Sequence, residues 1–287
     1  MPTNVQRREQ AKRKLERQMV RRAERAKRRR VVAVVSTAVV VVLVAGGVYF
    51  LATYDFGGGD DKAAASSTAA APAEIPTELK AAPKREKALD NPVNCEYRAG
   101  TEAAAKEGTK APEATGISSS GTVGATIKSN IGEIKLTLDR ALAPCTVNSF
   151  VSLVNQGFYN GTKCHRISTG AGLQMLQCGD PTGTGSGGPG YTFDNETWPE
   201  LTYGRGYLAM ANAGPDQQTQ KGTNGSQFFI VYGNAELQPD YTVFGTVDEA
   251  GLKLIDEVAK AGDDGSSPAG GGKPNKEVAF ETVTIAA

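Results

Sequence analysis

Histidine is almost absent: the 287-residue chain contains one, His165. That excludes an HExxH zinc site and any His-rich metal cluster. A Ser-His-Asp triad would have to use His165, and no GxSxG turn is present to carry its nucleophile. The glycine-rich stretches 183–190 and 270–274 lack the Lys-Ser/Thr pair that completes a phosphate-binding loop. No CxxC pair occurs among the four cysteines, which argues against a thioredoxin-like redox motif and a zinc ribbon. The expected chemistry uses no metal and no cofactor.

Charge is missing from residues 31–53. An apolar run of about 23 residues at 1.5 Å per residue spans a hydrocarbon core of roughly 30 Å. The run is too long for the core of a cleaved signal peptide, so it is expected to be a retained anchor. Residues 1–30 carry 13 Lys/Arg against Glu9, Glu16 and Glu24, whereas Asp55, Asp60 and Asp61 follow the run. Positive charge stays on the cytoplasmic side, which predicts a cytoplasmic tail at 1–30 and an extracytoplasmic C-terminal part. The formal net charge of +1 therefore hides a basic head on an acidic body. Attraction of that head to anionic lipid is a simpler account than nucleic-acid binding.

Large apolar side chains are scarce in residues 57–92, where Gly, Ala, Ser and Pro dominate. Such a stretch buries too little surface to offset its ordering entropy and is expected to be a tether. Residues 54–121 are read as flexible linker and N-terminal extension, with Cys95 able to pin part of it. The four cysteines, Cys95, Cys145, Cys164 and Cys178, all follow the apolar run. Outside the cytoplasm they allow two disulfides in three connectivities, with buried free thiols as the alternative.

From Thr122 the pattern changes. Val123, Ala125 and Ile127 alternate with other positions, as do Ile134, Leu136 and Leu138, with Asn130-Ile131-Gly132 between them. The pair reads as a hairpin. Val147, Phe150, Val151 and Val154 then fall on one helical face, between Pro144 and Gly157. Further strands are expected at 207–211, 227–232, 241–246 and 278–285. A second helix is expected at 249–261, with Leu254, Ile255 and Val258 inward. Many strands and two helices predict a mainly β domain at 122–287, a closed antiparallel barrel with helices over its openings.

Three blocks carry a resemblance. They are Cys164-His165-Arg166-Ile167 leading to Gln177-Cys178-Gly179-Asp180, then Met210-Ala211-Asn212-Ala213-Gly214-Pro215, then Asn224-Gly225-Ser226-Gln227-Phe228-Phe229, with Tyr241-Thr242-Val243-Phe244-Gly245 beyond. Across about residues 122–286 the chain resembles the cyclophilin-type peptidyl-prolyl cis-trans isomerases. The resemblance implies an eight-stranded antiparallel barrel capped by two helices, and rotation about X-Pro bonds without metal or covalent step. Its substrates would be proline-containing, unfolded or partly folded polypeptides, met by a monomer.

By the same resemblance Arg166, Gln177 and Phe229 are the catalytic residues. Arg166 would stabilise the twisted prolyl amide and Gln177 would orient it. Asn212, between Ala211 and Ala213, would bind the peptide main chain. Phe229, Met175, Leu237 and Phe244 would form the proline pocket, with Tyr241 where many members carry a histidine. Gln174 stands in place of a pocket phenylalanine, and Glu236 in place of a tryptophan linked with cyclosporin binding. His165 would point into the barrel core. Cys164 and Cys178 would lie on neighbouring strands but opposite faces, which favours Cys145–Cys178 with Cys95–Cys164. The competing reading is a proline-peptide binding module or chaperone with weak or no turnover. A purely structural anchor is a third.

Overall fold

A computed structural model describes residues 73–286 of the chain. The expected tail at 1–30, the span at 31–53 and the first part of the linker lie outside the described residues. Among the described residues no helix is long and apolar enough to cross a membrane.

Among the described residues ten strands and two helices follow one another. β1 is Arg98–Ala99, β2 Thr122–Ser129, β3 Gly132–Asp139, α1 Pro144–Asn155, β4 Arg166–Gly170 and β5 Leu173–Cys178. β6 is Tyr191–Thr192, β7 Tyr207–Met210, β8 Phe228–Ala235, β9 Val243–Val247, α2 Glu249–Lys260 and β10 Phe280–Ile285. Eight of the strands make one antiparallel sheet in the order β10-β2-β3-β9-β7-β8-β5-β4, and β1 pairs with β6 in a separate ribbon. The sheet curls into a half-barrel. Near its two edges, Cys164 N–H donates to the Val278 carbonyl at 2.9 Å and Phe280 N–H to that of Thr162 at 2.8 Å.

Local chemistry explains the main elements. β2 and β3 pair from Ser129↔Gly132 outward, leaving Asn130-Ile131 as a two-residue turn. Gly132 has φ +127°, which favours glycine, and a Cβ there would meet Leu254 Cδ1 at 2.7 Å. Pro144 opens α1 at a position whose N–H needs no helical partner. Its N-cap, Ala143, has no side chain to offer. The Glu196 carboxylate supplies that function, accepting from Cys145 N–H at 3.0 Å and Thr146 N–H at 2.8 Å. α2 is capped by Asp248, which accepts from Gly251 N–H at 3.1 Å. Its fully buried face holds Leu252, Ile255 and Val258. Leu254, expected inward, is only partly buried and covers Gly132. Under α1, Phe150 stacks with Tyr159 at 5.0 Å and meets Phe228 edge-on at 5.6 Å.

The disulfides are Cys95–Cys145 and Cys164–Cys178, which corrects the favoured pairing. The face argument assumed that β4 alternation extends back to Cys164. It does not: the strand begins at Arg166, and Cys164 N–H has turned to Val278. Cys95 is brought to α1 because the Tyr97 hydroxyl donates to the Cys145 carbonyl at 2.7 Å. The Cys95–Cys145 bond closes a separation of 50 residues. Replacing both by serine is expected to reduce stability by about 2–4 kcal/mol, read from the urea midpoint. A loss under about 0.5 kcal/mol would show that the unfolded chain gains nothing from release.

Residues 73–92, expected to form a tether, are held along the domain. Lys80 N–H donates to the Arg205 carbonyl at 3.0 Å. Arg85 donates to the carbonyls of Leu142 at 2.9 Å and Glu196 at 2.7 Å, and its guanidinium lies 4.6 Å from the Trp198 ring centroid. These partners lie 57 or more residues away in sequence, so local composition carries no sign of them.

Candidate functional site

The register of four adjacent strands makes one row. Arg166 on β4 faces Gln177 on β5, Gln177 faces Phe229 on β8, and Phe229 faces Ala209 on β7. Alternation puts the intervening residues, such as Ile167, Leu176, Phe228 and Ile230, on the other face, where they are buried. The row thus separates a partly exposed arginine and glutamine from the core by one peptide unit.

Arg166 is held from three sides. Its Nη1 donates to Gln177 Oε1 at 3.3 Å, its Nε to the Gly270 carbonyl at 3.0 Å, and its Nη2 to the Ala269 carbonyl at 2.7 Å. Partial burial pulls its pKa below the usual arginine value, and Tyr241 and Asp263 oppose that pull. Gln177 is fixed in turn, donating from Nε2 to Gln227 Oε1 at 3.0 Å. Gln227 Nε2 donates to the carbonyls of Gly185 at 2.9 Å and Gly187 at 3.1 Å.

Apolar groups lie beside this polar pair. The Phe229 and Tyr241 rings meet edge to face at 5.7 Å. Met175 is buried two residues along β5 from Gln177, on the same face, and Leu237 is partly buried against the core. Tyr203, which the sequence reading missed, fixes Tyr241. Its hydroxyl accepts from Tyr241 N–H at 2.9 Å and donates to the Tyr241 carbonyl at 2.8 Å.

Three expected placements change. Phe244 is fully buried and packs 5.4 Å from Phe150 under α1, so it belongs to the core and not to the pocket. Gln174 is also fully buried and away from the site. Opposite it, β8 has a bulge between Val231 and Ala235, which leaves Asn234 N–H without a ladder partner. Gln174 Oε1 accepts that N–H at 2.8 Å, while its Nε2 donates to the carbonyls of Ala73 at 3.2 Å and Glu74 at 3.1 Å. A Cβ at Gly233 would fall 2.0 Å from Gln174 Oε1, so glycine leaves the space this clamp occupies. His165 is half-buried near Gly185 instead of deep in the core. Burial lowers its pKa, as does the Arg166 charge, and Asp180 opposes both.

The Asn212 side chain is engaged inside the protein. Its Nδ2 donates to the Asp240 carbonyl at 2.9 Å and its Oδ1 accepts from Gly214 N–H at 2.9 Å. Among the described residues its backbone N–H and C=O have no partner. Ala211 and Ala213 flank them and line the same groove as Asn212. A groove of about 710 Å³ continues from Gln177 past Ala211, Asn212 and Ala213. Among the described residues no group of three His, Cys, Asp or Glu side chains is placed to hold a metal ion.

Residues 124–285 match the family described as cyclophilin type peptidyl-prolyl cis-trans isomerase/CLD. A probable peptidyl-prolyl cis-trans isomerase B of Mycobacterium tuberculosis (strain ATCC 25618 / H37Rv) is 52% identical over 299 residues, covering 99% of this chain and 93% of the relative. The Mycobacterium leprae protein of the same name is 46% identical over 206 residues, 67% of each chain. A crystal structure of a Cryptosporidium parvum cyclophilin type peptidyl-prolyl cis-trans isomerase is 32% identical, covers 58% of this chain and 99% of its own, and has a TM-score of 0.49.

Proposed function

The chain belongs to the cyclophilin-type peptidyl-prolyl cis-trans isomerase family, and on that premise we propose that Arg166 drives the isomerisation in polypeptides exported across a membrane. The observation that carries this reading is the row of Arg166, Gln177 and Phe229 across three adjacent strands. X-Pro rotation must break amide resonance, a barrier of about 18–20 kcal/mol. In the twisted state the prolyl nitrogen is pyramidal and its lone pair is free. A cationic donor beside that nitrogen stabilises the twisted amide more than the planar one. Phe229, Met175, Leu237 and Tyr241 would hold the proline ring, and the Asn212 backbone would hold the peptide.

Residues 31–53 would anchor the enzyme, with 1–30 in the cytoplasm and the isomerase domain outside as a monomer. We read the sheet as a barrel closed where 161–164 meets 278–280. The direct test follows cis-trans relaxation of a short X-Pro peptide. Wild-type protein is expected to shorten the uncatalysed relaxation of roughly tens to hundreds of seconds to below a second. No acceleration at micromolar protein would sink the reading. For the orientation, a periplasm-dependent reporter fused after Ala287 is expected to be active, and the same reporter fused before residue 31 inactive. The reverse pattern would overturn it.

A further inference from the structure

Residues 100–105 lie outside the 124–285 segment that matches the family, yet they line the groove beside Asn212. The segment is fixed there at both ends. Gly100 N–H donates to the Gly190 carbonyl at 2.9 Å and Ala105 N–H to that of Gly188 at 2.8 Å. The approach is close enough that a Cβ on Gly190, whose φ is +82°, would meet Ala104 N at 2.9 Å. On one side β1 pairs with β6, Arg98 donates to Asp194 at 3.0 Å, and Cys95 is bonded to Cys145. On the other side Lys106 Nζ donates to the carbonyls of Asn160 at 2.6 Å and Gly157 at 3.0 Å. Gln177, Gln227 and Thr223 line the same groove. Among the described residues Glu102 is the only charged side chain lining the groove.

We propose that residues 100–105 form one wall of a substrate subsite for a side chain flanking the proline, and that Glu102 gives this subsite a preference for a cationic side chain over an anionic one. The proposal rests on the isomerase reading for the position of the peptide. A chain lying along the Asn212 backbone, with its proline against Phe229, passes the mouth of this groove. The walls are otherwise uncharged hydroxyls, amides and backbone, so Glu102 is the one charge on the wall itself, while the Arg166 guanidinium behind Gln177 is common to every peptide compared.

The experiment uses the full chain in detergent and labelled peptides with Lys or Glu within two residues of the proline. Binding is read by anisotropy and isomerisation by exchange NMR. Wild-type protein is expected to favour the Lys peptide, E102Q to reduce that preference about twofold to fivefold, and E102K to reverse it. Ala103→Trp, which fills the groove, is expected to raise KM for a peptide with a flanking Phe more than for one with a flanking Gly. A Lys/Glu ratio unchanged in all Glu102 variants would overturn the proposal while leaving the isomerase intact. A shifted binding ratio without isomerisation would support the wall and defeat the isomerase reading.

Discussion

Replacing Arg166 by alanine is expected to lower kcat/KM for an X-Pro peptide by about 10²–10³-fold, in the range found for losing one preorganised donor at a developing charge. A ~10⁵-fold acceleration corresponds to about 7 kcal/mol of transition-state stabilisation. Arg166 would account for roughly half of it. The guanidinium has five N–H groups in a fixed fork. Three bonds hold the fork in place, to Gln177, Gly270 and Ala269, so two N–H groups remain for the substrate. The ordering of the side chain is therefore complete before peptide binds, and the loss on truncation should appear mainly in kcat. Lysine keeps the charge but cannot reproduce the three-sided hold, so Arg166→Lys should recover only part of the rate. The fold should be untouched, because Arg166 stands at the start of β4 and is only half-buried. Retention of kcat/KM within about twofold would remove Arg166 from the mechanism.

Burial lowers the Arg166 pKa from the ordinary arginine value, but an arginine remains protonated throughout physiological pH. His165, the nearest group that titrates near neutrality, has its pKa pushed down by burial. For a base the sign follows directly: the neutral form is the folded one, so His165 favours folding above the unfolded value of about 6.5 and opposes it as pH falls below. Activity should consequently be flat from about pH 7 to 9, and a bell-shaped profile there would point to another group.

What the sequence made legible was whatever local spacing controls. The Gly132 turn and the Pro144 helix start are each written within a few residues, whereas Arg166, Gln177 and Phe229 stand out only through the blocks that carry the family resemblance. What it hid depends on partners far along the chain. Phe244 has the composition of a pocket residue, and only the position of α1 makes it core. Gln174 looked like a damaged pocket because the β8 bulge that it fills has no local signature. Residues 73–121 look like linker since their stability comes from Arg85, Cys95 and Arg98 reaching other elements, not from an apolar face of their own. Family membership was legible from short blocks, whereas the wall at 100–105 lies outside every block.

Asp256→Ala is expected to cost about 3–5 kcal/mol of stability, the largest effect of any single change away from the site. Arg205 is 4% exposed at its side chain and Asp256 17%. The pair is bidentate, with Nη1 donating to Oδ1 at 2.8 Å and Nη2 to Oδ2 at 2.7 Å, and Nη1 also donates to the Tyr232 carbonyl. Arg205 Nε is buried with no partner among the described residues, so the carboxylate is what offsets the desolvation of this cation. Removing Asp256 leaves the charge in place and takes away its compensation. The same arginine joins α2 through Asp256, β8 through Tyr232 and the extension through Lys80, so no one element can relax alone to solvate it. For a domain of this size the loss should lower Tm by about 10 °C. Asp256→Asn keeps an acceptor without the charge and should fall between. The double variant Arg205→Met with Asp256→Leu removes both charges and should recover most of the loss, since a well-packed apolar pair can replace a buried ion pair. A double variant no more stable than Asp256→Ala would show that the deficit comes from lost packing of α2 and not from an orphaned cation.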